Sequence, residues 1–140
     1  MAEKTFQLEI LTLQRQFLRE PVRFIIAPGQ EGVFEILPGH APYIFALKPG
    51  ELRIRYPGGN EAHVAVGGGF LVARPDHVTI LTRSAEWPQE IDTGRAERAK
   101  ARAEERLRRR DEHVDVARAQ AALQRAVARL KVAAYVHGGR

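Results

Sequence analysis

The chain has 140 residues, 44% of them hydrophobic and 28% charged, and no cysteine, which excludes a disulfide framework or a thiolate metal site and fits one small domain plus an appendage in a reducing compartment. No apolar run approaches the roughly 18 residues of a membrane span and the first residues show no apolar leader, so a cytosolic setting, or a peripheral one on the cytosolic face of a membrane, is expected. The net charge of +5 is uneven: residues 92–140 hold 13 Lys and Arg against 7 Asp and Glu, whereas residues 1–91 hold 9 against 10, which predicts two parts with two kinds of partner.

The first half reads as strands. Phe6, Leu8 and Ile10 alternate with polar residues, as do Val22, Phe24 and Ile26, and then Leu52, Ile54 and Tyr56. Val64, Val66, Phe70, Val72, Val78, Ile80 and Leu81 continue the series. Period-two alternation means one buried and one wet face. Turn signals recur at Pro28-Gly29, Pro38-Gly39, Pro49-Gly50, Pro57-Gly58 and Pro75-Asp76. Short strands between regular turns predict a β-sandwich or barrel. Residues 84–92 break the pattern at Trp87-Pro88, which sets a β domain over 1–86, a linker over 87–91 and a second unit over 92–140.

The period then becomes helical. Ala96, Ala99, Ala103 and Leu107 define a first helix, capped by Asp92 or Thr93 and carrying Gly94 in its first turn. Asp111-Glu112-His113 marks a turn. Asp115 caps a second helix with Val116, Ala119, Leu123, Val127 and Leu130 on one face, ending at His137-Gly138-Gly139-Arg140. Two such helices make an antiparallel hairpin. Its seam is mostly alanine, so it buries little area and is expected to dock weakly, with low hydrogen-exchange protection over 95–135.

No catalytic or metal site is legible. The histidines at 40, 63, 77, 113 and 137 share no ligand spacing and, His40 apart, read as surface or turn residues. Ser84 is the one serine, and Gly67-Gly68-Gly69 precedes a strand, so it reads as a bulge and not a phosphate loop. The arginines carry more. Arg106, Arg108, Arg109 and Arg110 crowd the end of the first helix, where they complement its dipole. With Arg95, Arg98, Arg102, Arg118, Arg125 and Arg129 they form a surface that wants an acidic partner. A nucleic-acid-binding hairpin on a β scaffold is the alternative on charge alone, although the hairpin lacks stacking aromatics apart from Tyr135.

Residues 31–54 contain Leu37-Pro38-Gly39-His40-Ala41-Pro42 followed by Leu47-Lys48-Pro49-Gly50-Glu51-Leu52-Arg53-Ile54. This stretch, with Gly68-Gly69-Phe70-Leu71-Val72 and Ile91-Asp92-Thr93-Gly94-Arg95-Ala96, closely resembles the ε subunits of F-type ATP synthases. Glu35 departs from the family's usual Gly, and Val33 stands where some relatives carry an acid. The resemblance implies a β-sandwich of about ten short strands with a mobile C-terminal hairpin. It implies a non-catalytic rotor subunit of a proton-translocating ATP synthase, peripheral on the cytoplasmic face of the inner membrane, that joins the γ subunit to the c ring. It implies contact with the β and α subunits of the catalytic head and inhibition of ATP hydrolysis by the extended helices. It implies no nucleic-acid partner and no required cofactor. His40 then matches a c-ring contact, and Arg102, Arg106, Arg108, Arg109 and Arg110 would meet an acidic loop of the head. Glu86, Ile91, Asp92, Arg95, Ala96, Arg102, Arg125 and Arg129 match residues through which some relatives bind regulatory ATP.

Overall fold

The computed structural model describes residues 3–109 and 111–137, with His137 described in its backbone alone. Arg110 and the Gly138-Gly139-Arg140 end therefore lie outside the described residues. Eight strands come first: β1 (Phe6–Leu11), β2 (Gln16–Val22), β3 (Phe24–Gly29), β4 (Gly32–Ile36), β5 (Tyr43–Arg55), β6 (Glu61–Ala73), β7 (His77–Thr82) and β8 (Ala85–Glu86). A 3-10 turn (Pro88–Glu90) then leads into α1 (Thr93–Arg109) and α2 (Val116–His137).

The strands are hydrogen-bonded in the order β2-β1-β7-β6-β5-β3-β4, with β8 beside β6. All pairs are antiparallel except β1 with β7. The two 13-residue strands β5 and β6 run through both layers. Their outer ends, Tyr43–Leu47 and Gly69–Ala73, pair with each other and carry on through β7, β1 and β2. Their other ends pair over Gly50–Arg55 and Glu61–Val66 and carry on through β3, β4 and β8. Eight continuous strands thus fill ten layer positions, as the sandwich expectation requires. Pro49-Gly50 lies within β5 and is not the turn its composition suggests.

The alternation read from the sequence is the core. Leu8, Ile10, Val22, Ile25, Ile36, Leu52, Ile54, Val64, Val66, Leu71, Val78 and Ile80 are fully buried in one cluster to which both layers contribute. The glycine run in β6 makes the crossing between layers. Gly68 and Gly69 adopt φ of 92° and 138°, and a Cβ on Gly69 would collide with the Leu81 backbone. The buried Thr82 hydroxyl fastens this kink, accepting from Gly67 N at 3.1 Å and donating to Gly68 O at 2.7 Å.

Both helices start where the sequence places their caps. Asp92 Oδ1 accepts from Arg95 N at 3.0 Å and Asp115 Oδ1 from Arg118 N at 3.0 Å, so each carboxylate satisfies an otherwise unpaired amide. The helices are held differently. α2 lies on β5 and β6, and α1 rests chiefly on α2. In α1 only Ala96 and Ala103 are buried.

The single apolar stripe expected on α2 is replaced by two, because this helix is covered on two sides. Arg125, Ala128, Arg129, Val132 and Tyr135 follow helical spacing toward the sheet, and Ala119, Ala126 and Ala133 are buried at seven-residue intervals beside them. Val116, Leu123 and Leu130 are half-buried, and Val127, expected in the seam, is 46% exposed at the rim of a groove.

Replacing Gly69 by Ala should destabilise the chain by about 3 kcal/mol or more, combining a strained φ with a backbone collision. Urea unfolding should show this as a lower midpoint with an unchanged slope.

Candidate functional site: a cleft between sandwich and hairpin

The segment joining sandwich to hairpin is pinned. Trp87 stacks on Phe17 at a centroid distance of 4.6 Å, and Arg15 lies 5.0 Å over the Phe17 ring. Glu90 accepts from Trp87 N at 2.9 Å and pairs with Arg15 Nη2 at 3.1 Å. The 3-10 turn ahead of α1 is thereby fixed against β2 and the β1–β2 turn.

This placement opens a cleft of about 280 Å³ lined by Glu86, Glu90, Asp92, Arg95, Ala96, Ala99, Arg102 and Arg129. Six of the eight residues singled out for nucleotide are therefore together. Arg125 lines an adjoining recess with Ala65, Val66, Gly67 and Ser84, which shares Glu86 and Arg129 with the cleft. Ile91 is half-buried but does not line either space. A third, contiguous hollow brings in Thr12, Gln14 and Arg15. Sequence reasoning missed Glu90 and Ala99, although Ala99 shares a helical face with Ala96 and Arg102. Arg15 carries no such signal, because it reaches the site from 75 residues away.

The cleft lining sets three carboxylates, Glu86, Glu90 and Asp92, against three guanidiniums, Arg95, Arg102 and Arg129, and the surplus positive charge lies in the recess beside it. Arg129 Nε donates to Glu86 Oε1 at 2.5 Å, which spends one guanidinium and one carboxylate on each other. Arg125 finds no such relief. Burial, and then the positive charges of Arg83, Arg129 and Arg118, push its guanidinium below its ordinary value. Partly buried cations that repel one another favour an anion with several oxygens, since guanidinium groups bind such oxygens in pairs. Small side chains at Ala96 and Ala99 leave flat space beside the arginines.

The remaining expected contacts lie elsewhere. His40 stands in the loop between β4 and β5, half-buried, with Nδ1 2.6 Å from Ala41 O and its ring edge-on to Phe45 at 5.8 Å. Arg106, Arg108 and Arg109 are exposed at the far end of α1, where Arg108 pairs with Glu105 at 2.6 Å. Arg102 belongs to the cleft and not to that end alone. His63, read from the sequence as a surface residue, is buried. Its alternation does point outward from the sandwich, but α2 covers that face.

Comparison with known proteins places this architecture. The family model for the ATP synthase delta/epsilon chain beta-sandwich domain matches residues 5–88, and the model for its long alpha-helix domain matches residues 89–134. The chain belongs to the ATP synthase epsilon-chain family. The ATP synthase epsilon chain of Syntrophobacter fumaroxidans is 52% identical over 133 residues, covering 95% of this chain and 98% of that one. The epsilon chain of Moorella thermoacetica is 50% identical over 129 residues, covering 92% and 96%. Among solved structures, a chain of the Euglena gracilis mitochondrial ATP synthase, in its OSCP/F1/c-ring assembly, superposes with a TM-score of 0.80 at 28% identity. It covers 93% of this chain and 81% of its own length. A chain of the Tetrahymena thermophila enzyme shares the fold at a TM-score of 0.55 and 13% identity. Family members are subunits of an enzyme complex, and among the described residues no helix is long and apolar enough to cross a membrane.

The unrelieved arginines predict that tripolyphosphate raises the melting temperature by a few degrees at low ionic strength. The gain should shrink with added salt and disappear in Arg125→Ala, as measured by differential scanning fluorimetry.

Proposed function

We propose that the chain is a non-catalytic rotor subunit that couples the γ subunit to the c ring and switches ATP hydrolysis through its hairpin. The sandwich offers surface for the first role. On the layer away from α2, Ile44, Phe70 and Leu81 are 63%, 53% and 46% exposed, and Phe70 stands directly beside Leu81 in register. An apolar patch of this kind suits a protein partner, here γ. Exposed Val33 and Leu37, with His40 in the same region, suit the c ring. This role sets the chain peripherally on the cytoplasmic face of the inner membrane.

For the second role, the supporting observation is that Glu86, Asp92, Arg95, Ala96, Arg102 and Arg129 converge on one cleft. They do so only because α1 and α2 are folded back on the sandwich. ATP bound there engages the compact form and not the extended one, and a ligand that binds one state shifts the population toward it. Arg95, Arg102 and Arg125 would hold phosphate oxygens together with the Nη groups of Arg129, whose Nε stays on Glu86, and the Ala96–Ala99 surface would accommodate the adenine. ATP acts as a regulatory ligand and not as a substrate, and no other cofactor is required. With the hairpin extended, Arg102, Arg106, Arg108, Arg109 and Arg110 meet an acidic surface of the β and α subunits and block hydrolysis.

Isothermal titration of the full chain with ATP tests the ligand. We expect saturable binding in the wild type and at least a tenfold loss in Arg125→Ala. No heat at millimolar ATP would end this reading. Removal of residues 92–140 tests the switch separately. The shortened chain should still assemble with γ, and the assembled enzyme should hydrolyse ATP without inhibition.

A further inference from the structure

The contacts that hold the far end of α2 are separate from the cleft, and they contain a buried titratable group that the function above does not use. On the outward face beneath α2, β5 presents Glu51, Arg53 and Arg55 beside Glu61, His63 and Ala65 of β6. The His63 and Glu51 side chains are only 8% and 7% exposed. Glu51 is the hub. Its Oε2 lies 2.7 Å from His63 Nδ1 and its Oε1 lies 3.4 Å from Lys131 Nζ on α2. The Tyr135 phenol of α2 lies close enough to the same carboxylate to be pushed up by it, after burial. The Tyr135 ring lies flat on the His63 ring, with centroids 3.4 Å apart and planes 10° from parallel. On its other side, His63 Nε2 lies 3.3 Å from Glu61 Oε1.

Two neighbours of His63, Glu61 and Tyr135, are shifted away from neutrality. Arg55 donates to Glu61 at 2.7 Å and, with Arg53, holds its carboxyl below the ordinary value. Burial and then Glu51 push the Tyr135 phenol up. Only the imidazole is of the type that changes charge between pH 5 and 8. A neutral imidazole donates from one nitrogen and turns a lone pair outward from the other. Between two carboxylates, it satisfies one and repels the second. The imidazolium donates toward both and is attracted to the face of Tyr135. Arg53 and Lys131 oppose the added charge. Arg53, however, faces Glu61 at 3.6 Å, and Lys131 approaches from solvent, 65% exposed. The deciding condition is burial. α2 takes the Glu51 carboxylate out of water, and a buried carboxylate needs a close, hydrogen-bonded countercharge.

We propose that His63, clamped between Glu51 and Glu61 beneath Tyr135, is a proton-operated latch that holds the hairpin on the sandwich when protonated and loosens it when neutral. The sign follows from linkage. Docking covers the ring and Glu51 with α2, and only the charged ring donates to both carboxylates, so protonation favours the docked hairpin and loss of the proton favours its release.

Hydrogen exchange of the full chain, without nucleotide, tests this independently of the ATP reading. Peptides from residues 126–136 are followed at about pH 6 and about pH 8, with rates corrected for intrinsic exchange and referenced to β7. The opening equilibrium of α2 should increase about tenfold at the higher pH, the size of one charge-assisted contact. His63→Gln should remove the step. Glu61→Gln, which retains His63 and Glu51, should reduce it below about threefold, because a neutral ring then has no second carboxylate to repel. An equal opening equilibrium at both pH values in the wild type, or a full step in either variant, would overturn the latch.

Discussion

The hydrogen-bonded ladder between β5 and β6 is the constraint on which the rest of the molecule depends. Because both strands are long enough to serve two layers, the ladder closes the core on one face and presents a flat bench on the other. Alternation along the same residues does both. Leu52, Ile54, Val64 and Val66 point inward and are buried, while Glu51, Arg53, Glu61 and His63 point outward toward α2. β8 pairs with β6 at Ala65 and Val66, so Glu86, the last residue of this two-residue strand, is set beside the bench. The partner of Arg129 is therefore a by-product of the core, and any disturbance of the kink at Gly68-Gly69 reaches the helix.

The basic charge of the second half is not one property. Arg108 answers Glu105 on its own helix, an exposed contact worth little in water. Arg129 is committed to Glu86, which joins the helix to the sheet. Arg125 is left among other arginines. A single compositional signal thus divides into solvated charge, structural charge and charge crowded by its own kind. The alanine seam allows this division. Small side chains bring the backbones close, and hold α2 near enough to the bench for short polar contacts to form across it.

Much of this was legible in the chain itself, wherever one element decides the outcome. Period-two runs located the core because each strand needs only to show which face is apolar. Asp92 and Asp115 announced their helices because a cap acts within three residues. Features set by two distant elements were not legible. Pro49-Gly50 has turn composition, yet the register with β6 keeps it in a strand. His63 alternates outward like any surface residue, and only α2, about seventy residues later, buries it. Val127 fits a helical stripe, but the helix packs on two sides and leaves that position at a rim. The cleft was readable on the hairpin side, from Asp92 to Arg102, and unreadable at Arg15, which joins it through Glu90 across the fold.

The stack of Trp87 on Phe17 also decides where the chain can bend. Up to Glu90 the backbone is anchored to the sandwich by an aromatic pair and by the Arg15 ion pair, and from Thr93 it is helical. In the proposed switch the bend falls at Ile91 and Asp92, the two residues between these anchors, which makes a short pivot. At 1.5 Å per residue α1 is about 25 Å long. In that switch, changes of a few backbone torsions at two residues would be multiplied into displacements of a domain diameter at the arginines of its tip.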